Sequence, residues 1–306
     1  MTNVFISIVN FNGIKNTVEC LKSIDNLNLE DIKLGVVVVD NASIDNSVGT
    51  LKNLKLKTSN LKIIENKENL GFSGGHNVGI KYALGNEADY VVVLNNDVIL
   101  DKNLVKKLVD SAREDSSVGA ISPKIYFAPG FEFHKDRYRK EDLGKVIWYA
   151  GGNMDWNNLI GKHGGVDEVD KGQFEKRKET DFASGCCMLI KKEVFEKAGY
   201  FNEKYFLYYE DNDFSQRTRS KGYKIIYEPK AILWHKNAGS VGGSGSGLQD
   251  YFITRNRLVF GMAYASMRTK FALLRESIKI LLNGRKWQKR GVLDFYFRRF
   301  GRGSYK

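Results

Sequence analysis

Through the first half of the chain, short unbroken runs of apolar residues alternate with stretches of helical periodicity. Val4–Val9 (VFISIV), Leu34–Val39 (LGVVVV), Leu61–Glu65 and Tyr90–Leu94 (YVVVL) read as strands. Their apolar positions are successive rather than alternate, as expected where a sheet is covered on both faces. Between them, Lys15–Leu27, Asp45–Leu54, Ser73–Leu84 and Asp101–Glu114 carry the spacing of amphipathic helices. Strand–helix alternation of this kind predicts an α/β fold with a doubly wound, mostly parallel, Rossmann-like sheet.

The second half is less regular. Ile147–Gly165, rich in Gly, Asn and aromatics, reads as a hairpin or excursion. Ser184–Lys191 returns to the sheet, Glu210–Ser220 is a helix, and Lys224–Tyr227 and Ala231–Trp234 flank a turn at Pro229. Gly239–Gly247 (GSVGGSGSG) is low in complexity and reads equally as a lid or a linker. Leu248–Ala265 is helical, and Phe271, Leu274, Ile278, Leu281 and Leu282 form a helical stripe. The division expected is a body at 1–247 and a helical, basic tail at 248–306.

Charge sharpens that division. The 306 residues hold 48 Lys+Arg against 36 Asp+Glu, a net of +12. Twelve basic and two acidic residues (Glu276, Asp294) lie between Arg268 and Lys306, so the body is nearly neutral. Such an excess suits a polyanionic partner. The three cysteines, Cys20, Cys186 and Cys187, show no metal or disulfide spacing and read as buried thiols in a reducing compartment. The opening MTNVFISIVNFNG lacks a basic leader and cleavage site. No apolar run approaches the ~18 residues of a spanning helix. A cytoplasmic protein is expected.

The strands end in polar clusters: Asn10-Phe11-Asn12-Gly13, Asp40-Asn41-Ala42-Ser43 and Asn95-Asn96-Asp97. One such cluster is ordinary turn chemistry, but three at the same sheet edge predict a polar crevice where open α/β sheets bind ligands. A carboxylate such as Asp97 at a strand end can hold a divalent cation against a diphosphate. Glu210-Asp211-Asn212-Asp213 follows a wall of aromatics, and a carboxylate there can serve as general base. His235 ends a strand just before the glycine-rich segment. The stretch Asn69–Gly79 (NLGFSGGHNVG) fails both the dinucleotide and Walker patterns, and reads as a close backbone approach opening a helix.

Taken in order, IVNFNG, VVVDNAS, ENLGFSGGHNVGI, YVVVLNNDV, DFASGCCMLIKKEVFEKAGYFNEKYFLYYEDNDFSQRTRSKGY, ILWHKNAGS and YFITRNRLVF resemble the family 2 glycosyltransferases, from about Val4 to Phe260. The rhamnosyltransferase-like branch that builds surface polysaccharides is the most similar. The resemblance implies a GT-A fold and inverting transfer from a nucleotide-diphosphate sugar, such as dTDP-rhamnose or a UDP-sugar, to a glycan or lipid-linked hydroxyl. It implies a nucleotide-sugar pocket of Asn10, Asn12, Asp40, Asn41, Ser43, Asn69, Gly71, Asn77, Asn95 and Asn96. Asp211 matches the catalytic base, with Glu210 beside it. Asp97 and His235 would hold Mn2+ or Mg2+. Tyr209 and Trp234 are expected, from residue type, to contact a sugar face. One departure is Asn95, which replaces the first aspartate of the family's DXD and brings no charge to the cation, so strict metal dependence stays open.

Two other enzyme or binding readings share the crevice: a nucleotidyltransferase, which lacks its pyrophosphate loop here, and a non-catalytic sugar-nucleotide binder. A third is nucleic-acid binding through the tail. The favoured expectation assigns no nucleic acid, allows a homo-oligomer, and places the tail on an anionic membrane surface. That makes the protein peripheral at the inner face of the cell membrane.

Overall fold

The computed structural model describes residues 1–55, 57, 60–237 and 246–305. Its first half runs β1 (Thr2–Asn10), α1 (Ile14–Ile24), β2 (Ile32–Asp40), α2 (Ser47–Asn53), β3 (Asn60–Glu65), α3 (Gly71–Gly85) and β4 (Tyr90–Leu94). β1 lies between β2 and β4, β3 flanks β2, and all are parallel. The register sets Asn10 beside Asp40 and Ile8 beside Leu94, so the three polar strand ends meet at one edge.

Side chains alternate across each strand, and the two faces collect different helices. Ile6, Ile8, Val36, Val38, Val92 and Leu94 pack with Cys20, Leu21, Leu51 and the buried face of α4 (Leu104–Glu114) on one side. Val91 and Val93 pack with Ile80 and Ala83 of α3 on the other. Continuous apolar runs are therefore required, since both faces are dry. The thiols Cys20, Cys186 and Cys187 are free and buried, and burial pushes all three upward in pKa.

Two strands extend this half in ways the hydrophobic pattern did not announce. β5 (Val98–Leu100) precedes α4, and β6 (Val118–Phe127) follows it. After a meander of β7 (Ile147–Tyr149), β8 (Gly152–Asp155), β9 (Ile160–His163) and β10 (Lys178–Glu179), the chain re-enters the sheet as β11 (Cys187–Lys191). β11 is antiparallel to both its neighbours, β4 and β6, and the short strands β5, β7 and β10 also pair antiparallel along the same sheet. α5 (Lys192–Ala198) and α6 (Glu210–Ser220) follow, then β12 (Lys224–His235). β12 corrects the expectation of two strands around a turn. It runs unbroken through Pro229 by shifting register against β6 between Glu228 and Ile232, a bulge that spares the proline a ladder hydrogen bond.

The remaining helices are α7 (Gly247–Tyr264), α8 (Met267–Asn283) and α9 (Lys286–Tyr296). They close against the body. Leu258, Phe260, Leu273 and Val292 share a core with Leu159 and Tyr205, and Tyr251 and Phe252 share another with Phe206. The Asp294 carboxylate, fully buried, accepts from Ser304 N at 2.8 Å and from the Tyr251 hydroxyl. Ser246 caps α7 by accepting from Gln249 N. Residues 239–245 of the glycine-rich segment, and with them most of the lid-or-linker expectation, lie outside the described residues.

A chain ending at Ala265 leaves the α7 side chains Tyr251, Phe252, Leu258 and Phe260 partly bare. The expected loss is on the order of 5 kcal/mol or more, read as a lower urea midpoint or outright aggregation.

Candidate active site

The polar strand ends build one hydrogen-bonded floor. Asn10 Nδ2 donates to Asp40 Oδ1 at 2.7 Å and to Ser43 Oγ at 3.0 Å, while its Oδ1 accepts from Thr17 Oγ1 at 2.7 Å. Asn96 Nδ2 donates to the same Thr17 hydroxyl at 2.9 Å, linking β4's end to β1's. Gly13 permits this approach, because a Cβ there would stand 2.8 Å from Asn96 Nδ2. Asn12, left-handed at φ 50°, accepts from Ile44 N and donates its own N–H to Ser43 Oγ. Asn41 Nδ2 donates to Gly71 O at 2.9 Å and Asn69 Oδ1 at 3.3 Å.

These bonds divide the expected pocket residues. Asn10, Asp40 and Asn41 are almost wholly buried and shape the floor from beneath. Phe11 and Asn12 are exposed at its rim, with Ser43 and Asn69 half-buried just inside them. Asn77 is not brought there. Its amide bridges Phe201 O, Phe201 N and Glu203 Oε1, pinning the segment before the acidic helix.

At the neighbouring edge, antiparallel pairing of β5 with β12 sets His235 opposite Val98 and brings Asp97 alongside. Asp97 Oδ1 lies 3.1 Å from His235 Nε2, both groups nearly buried, and Lys236 N donates to Asp97 O. Asn95 gives its N–H to Cys186 O. Among the described residues no cluster of three or more His, Cys, Asp or Glu converges. A carboxylate oxygen and an imidazole nitrogen fit a hard divalent cation only as a partial set, completed by diphosphate oxygens and water. The orphaned His235 Nδ1, buried without a hydrogen-bond partner, is consistent with a site incomplete without its ligand.

Trp234 turns to the opposite face of β12, where Nε1 donates to Gly144 O and the ring stacks on Tyr126. The indole beside the crevice is Trp148, edge-on to His235 at 4.6 Å and to His163 at 4.5 Å. His163 is held neutral, its pKa lowered by burial to about 4. No periodicity in the irregular second half singled out Trp148 or His163.

The carboxylates of α6 follow a turn of unusual shape. Phe206, Tyr208 and Tyr209 all have left-handed backbones, at φ 65°, 68° and 72°. Such conformations cost about 1–2 kcal/mol per residue, so the surroundings must impose them. Asn256 Nδ2 donates to Tyr205 O, Leu207 O and Tyr208 O at 2.8–2.9 Å. Arg255, fully buried, donates through Nη2 to Lys204 O and Tyr205 O, and through Nε to Asn256 Oδ1. From the other side, Phe72 N donates to Phe206 O at 2.7 Å. Gly71, at φ 70°, must be glycine because a Cβ would collide with that carbonyl. Tyr209 OH closes the turn on Leu159 O. Arg255 and Asn256 were visible only as part of the YFITRNRLVF match, with no chemical signal of their own.

Beyond the turn, Asp211 Oδ2 accepts from Gly185 N at 3.1 Å, and Oδ1 accepts from Asn212 N and Nδ2. Lost hydration raises its pKa above the usual carboxylate range. Glu210 is more deeply buried, with Oε2 unpartnered. Desolvation first, and the Asp211 charge second, push its pKa well up. Asp211 differs from Glu210 in having three N–H donors on its carboxylate, which favour its charged form. Asp211 opens onto a cavity of about 480 Å³ whose far wall is α7 and α8, including Arg257 and Glu276.

Comparisons with known proteins place the chain in a family and a fold. Residues 5–199 match the family described as Glycosyl transferase family 2. The chain belongs to that family. A hexosyltransferase of low-salt glycan biosynthesis from Haloferax volcanii is 28% identical over 183 residues, 60% of this chain and 54% of that protein. The chain thus spans about half the length of that relative. The N-acetylglucosaminyl-diphospho-decaprenol L-rhamnosyltransferase of Mycobacterium tuberculosis is 27% identical over 223 residues, 68% of each chain. GalNAc-T7, solved with UDP, GalNAc and Mn2+, superposes with a TM-score of 0.62 at 15% identity, covering 97% of this chain and 57% of that one. The Pyrobaculum calidifontis mannosyltransferase, solved with GDP-Man and Mn2+, gives 0.53 at 16% identity, covering 96% and 86%. The family 2 chain therefore has the GT-A fold.

If Asn256 aims the acidic helix of this family 2 protein, Asn256→Ala lowers kcat about tenfold to a hundredfold, with little change in donor KM. Asn256→Asp, isosteric but without the donors, is expected to be worse. Transfer kinetics beside melting curves check this, and a wild-type kcat in Asn256→Asp removes the clamp from the catalytic account.

Proposed function

We propose that the protein is an inverting glycosyltransferase, moving a sugar from a nucleotide-diphosphate donor to a hydroxyl of a glycan or lipid-linked acceptor in cell-surface polysaccharide synthesis. The observation that carries this reading is Asp211. It is a carboxylate whose pKa burial raises, fixed by the Gly185 and Asn212 N–H groups and lining a cavity of about 480 Å³. In this reading the nucleoside rests on the rim made by Phe11, Asn12, Ser43 and Asn69. The floor of Asn10, Asp40, Asn41 and Asn96 holds that rim in shape.

Asp211 takes the acceptor hydroxyl's proton as the oxygen attacks the anomeric carbon from the face opposite the diphosphate. The carbon–oxygen bond to the diphosphate breaks, and its electron pair leaves on the diphosphate oxygen. Glu210, buried beside it with Oε2 unpartnered, is pushed up in pKa by desolvation first and by the Asp211 charge second. Asp97 and His235 would hold Mn2+ or Mg2+, whose chemistry there is to offset the leaving group's charge. Trp148, between His235 and His163, offers the sugar an aromatic edge, and Tyr209 lines the acceptor side. A lipid-linked acceptor would confine the reaction to a membrane surface, at the inner face of the cell membrane. No helix among the described residues is long and apolar enough to cross one.

Since the base must be ionised and burial raises its pKa, transfer is expected to rise with pH through a midpoint above that of an exposed aspartate. Asp211→Asn should cost about 10²–10⁴ in kcat while leaving donor binding intact. A thermal-shift screen of UDP-, dTDP- and GDP-sugars with and without Mn2+ checks the donor. Binding raises the melting temperature, and Asp97→Asn should erase the Mn2+-dependent part. A flat response to every nucleotide removes the glycosyltransferase reading.

A further inference from the structure

α8 carries three kinds of surface on one helix. At about 100° per residue, Thr269, Leu273, Glu276, Ser277 and Ile280 fall on one side. Thr269, Leu273 and Ser277 are buried there, and the last four line the cavity into which Asp211 opens. On the opposite side Met267, Phe271, Leu274, Ile278 and Leu282 share an arc about 80° wide. Phe271 is 68% exposed, Ile278 57%, Leu282 69% and Met267 64%. An aligned apolar arc of this kind is not the scatter of single apolar residues ordinary on protein surfaces.

Charge frames the arc. Lys270 borders it on one side, and Arg268, Arg275 and Lys279 on the other. None of the four makes an ion pair among the described residues. The helix's own acidic residue, Glu276, faces inward and is held bidentately by Arg257 at 2.7 and 3.1 Å. The outer side of α8 thus presents apolar side chains between unpaired cations, with no anion among them. A nucleic acid would satisfy the cations and leave the apolar arc wet. A bilayer interface with anionic headgroups satisfies both at once.

We infer that the outer face of α8 docks on an anionic lipid surface, lying in the headgroup layer while its inner face walls the acceptor cavity. The inference rests on the glycosyltransferase reading for its purpose and gives that reading a partner: one helix separates the cavity beside Asp211 from the lipid. The side chains that reach lipid are narrower than the tail's apolar content suggested. Trp287 is taken up by packing against Tyr251, Tyr305 and Gly247, and Val292 is buried.

The test uses the full chain, because removing the tail opens the core. Wild type, Phe271→Glu/Leu282→Glu and Lys270→Glu/Arg275→Glu are floated with vesicles of phosphatidylcholine containing phosphatidylglycerol, and with phosphatidylcholine alone. Melting temperatures close to wild type are expected, since Phe271, Arg275 and Leu282 are exposed and Lys270 is half-buried with no ion pair among the described residues. Wild type should float with the anionic vesicles, and each variant should lose about tenfold or more in partitioning. Equal flotation of wild type and variants, or no flotation of wild type, overturns the inference. So does a wild-type dimer in light scattering that Phe271→Glu/Leu282→Glu dissociates, because a second copy would then own the face. The UDP, dTDP and GDP thermal shift, run without vesicles on the same proteins, reports on the donor alone. A retained shift with failed flotation sinks the docking and leaves the transferase, and the reverse result does the opposite.

Discussion

The Tyr205–Tyr209 turn is held in a backbone that its own residues resist, and the placing of the acidic start of α6 depends on that restraint. Left-handed conformation at three aromatic residues persists because each carbonyl from Lys204 to Tyr208 has a donor. Those hydrogen-bond donors come mainly from two distant places: the N-terminal turn of α3, beside the polar strand-end crevice, and the middle of α7, in the C-terminal helices. A buried guanidinium with no carboxylate partner, set over the Tyr251 and Phe252 rings, would be costly without hydrogen bonds. Arg255 is tolerable because its N–H groups reach Lys204, Tyr205, Asn256 and Gly301. The price of that buried charge is repaid in geometry, since the turn decides where Asp211 points.

This coupling changes the sense of the C-terminal helices. By composition they are a basic appendage; by packing they complete the cores around Tyr205 and Phe206 and wall the cavity at Asp211. At the other end of the crevice the charge is sparse. Asp97 stands with His235 where the family pattern offers a second carboxylate, so a diphosphate would itself contribute much of the coordination. Lys236, whose ammonium contacts Glu19, lies next to His235 and places a further charge near that end.

Much was legible from residue order. The four parallel strands, their helices, the meeting of strand-end polar clusters and the exact span of α6 follow from periodicity and turn chemistry, which are local. β6 was missed because Ser122, Pro123 and Lys124 interrupt its apolar pattern, yet each is buried or paired in the fold. The two-strand reading around Pro229 failed because a bulge admits proline without breaking pairing. Trp234 was placed by residue type and Asn77 by the resemblance, and the side of a strand or helix on which a residue falls cannot be judged without its neighbours.

By itself the sequence determined the α/β class, the sheet edge where the polar strand ends meet and the acidic pair that follows the aromatic run. It could do so because hydrophobic period and strand-end polarity are written in consecutive residues. Only tertiary structure decided that Asp97 meets His235 across 138 positions, that Asn256 holds the turn before Asp211, and that the apolar stripe of α8 looks outward. Those outcomes depend on long-range pairing and on which surfaces exclude water, and neither quantity exists until the chain has folded.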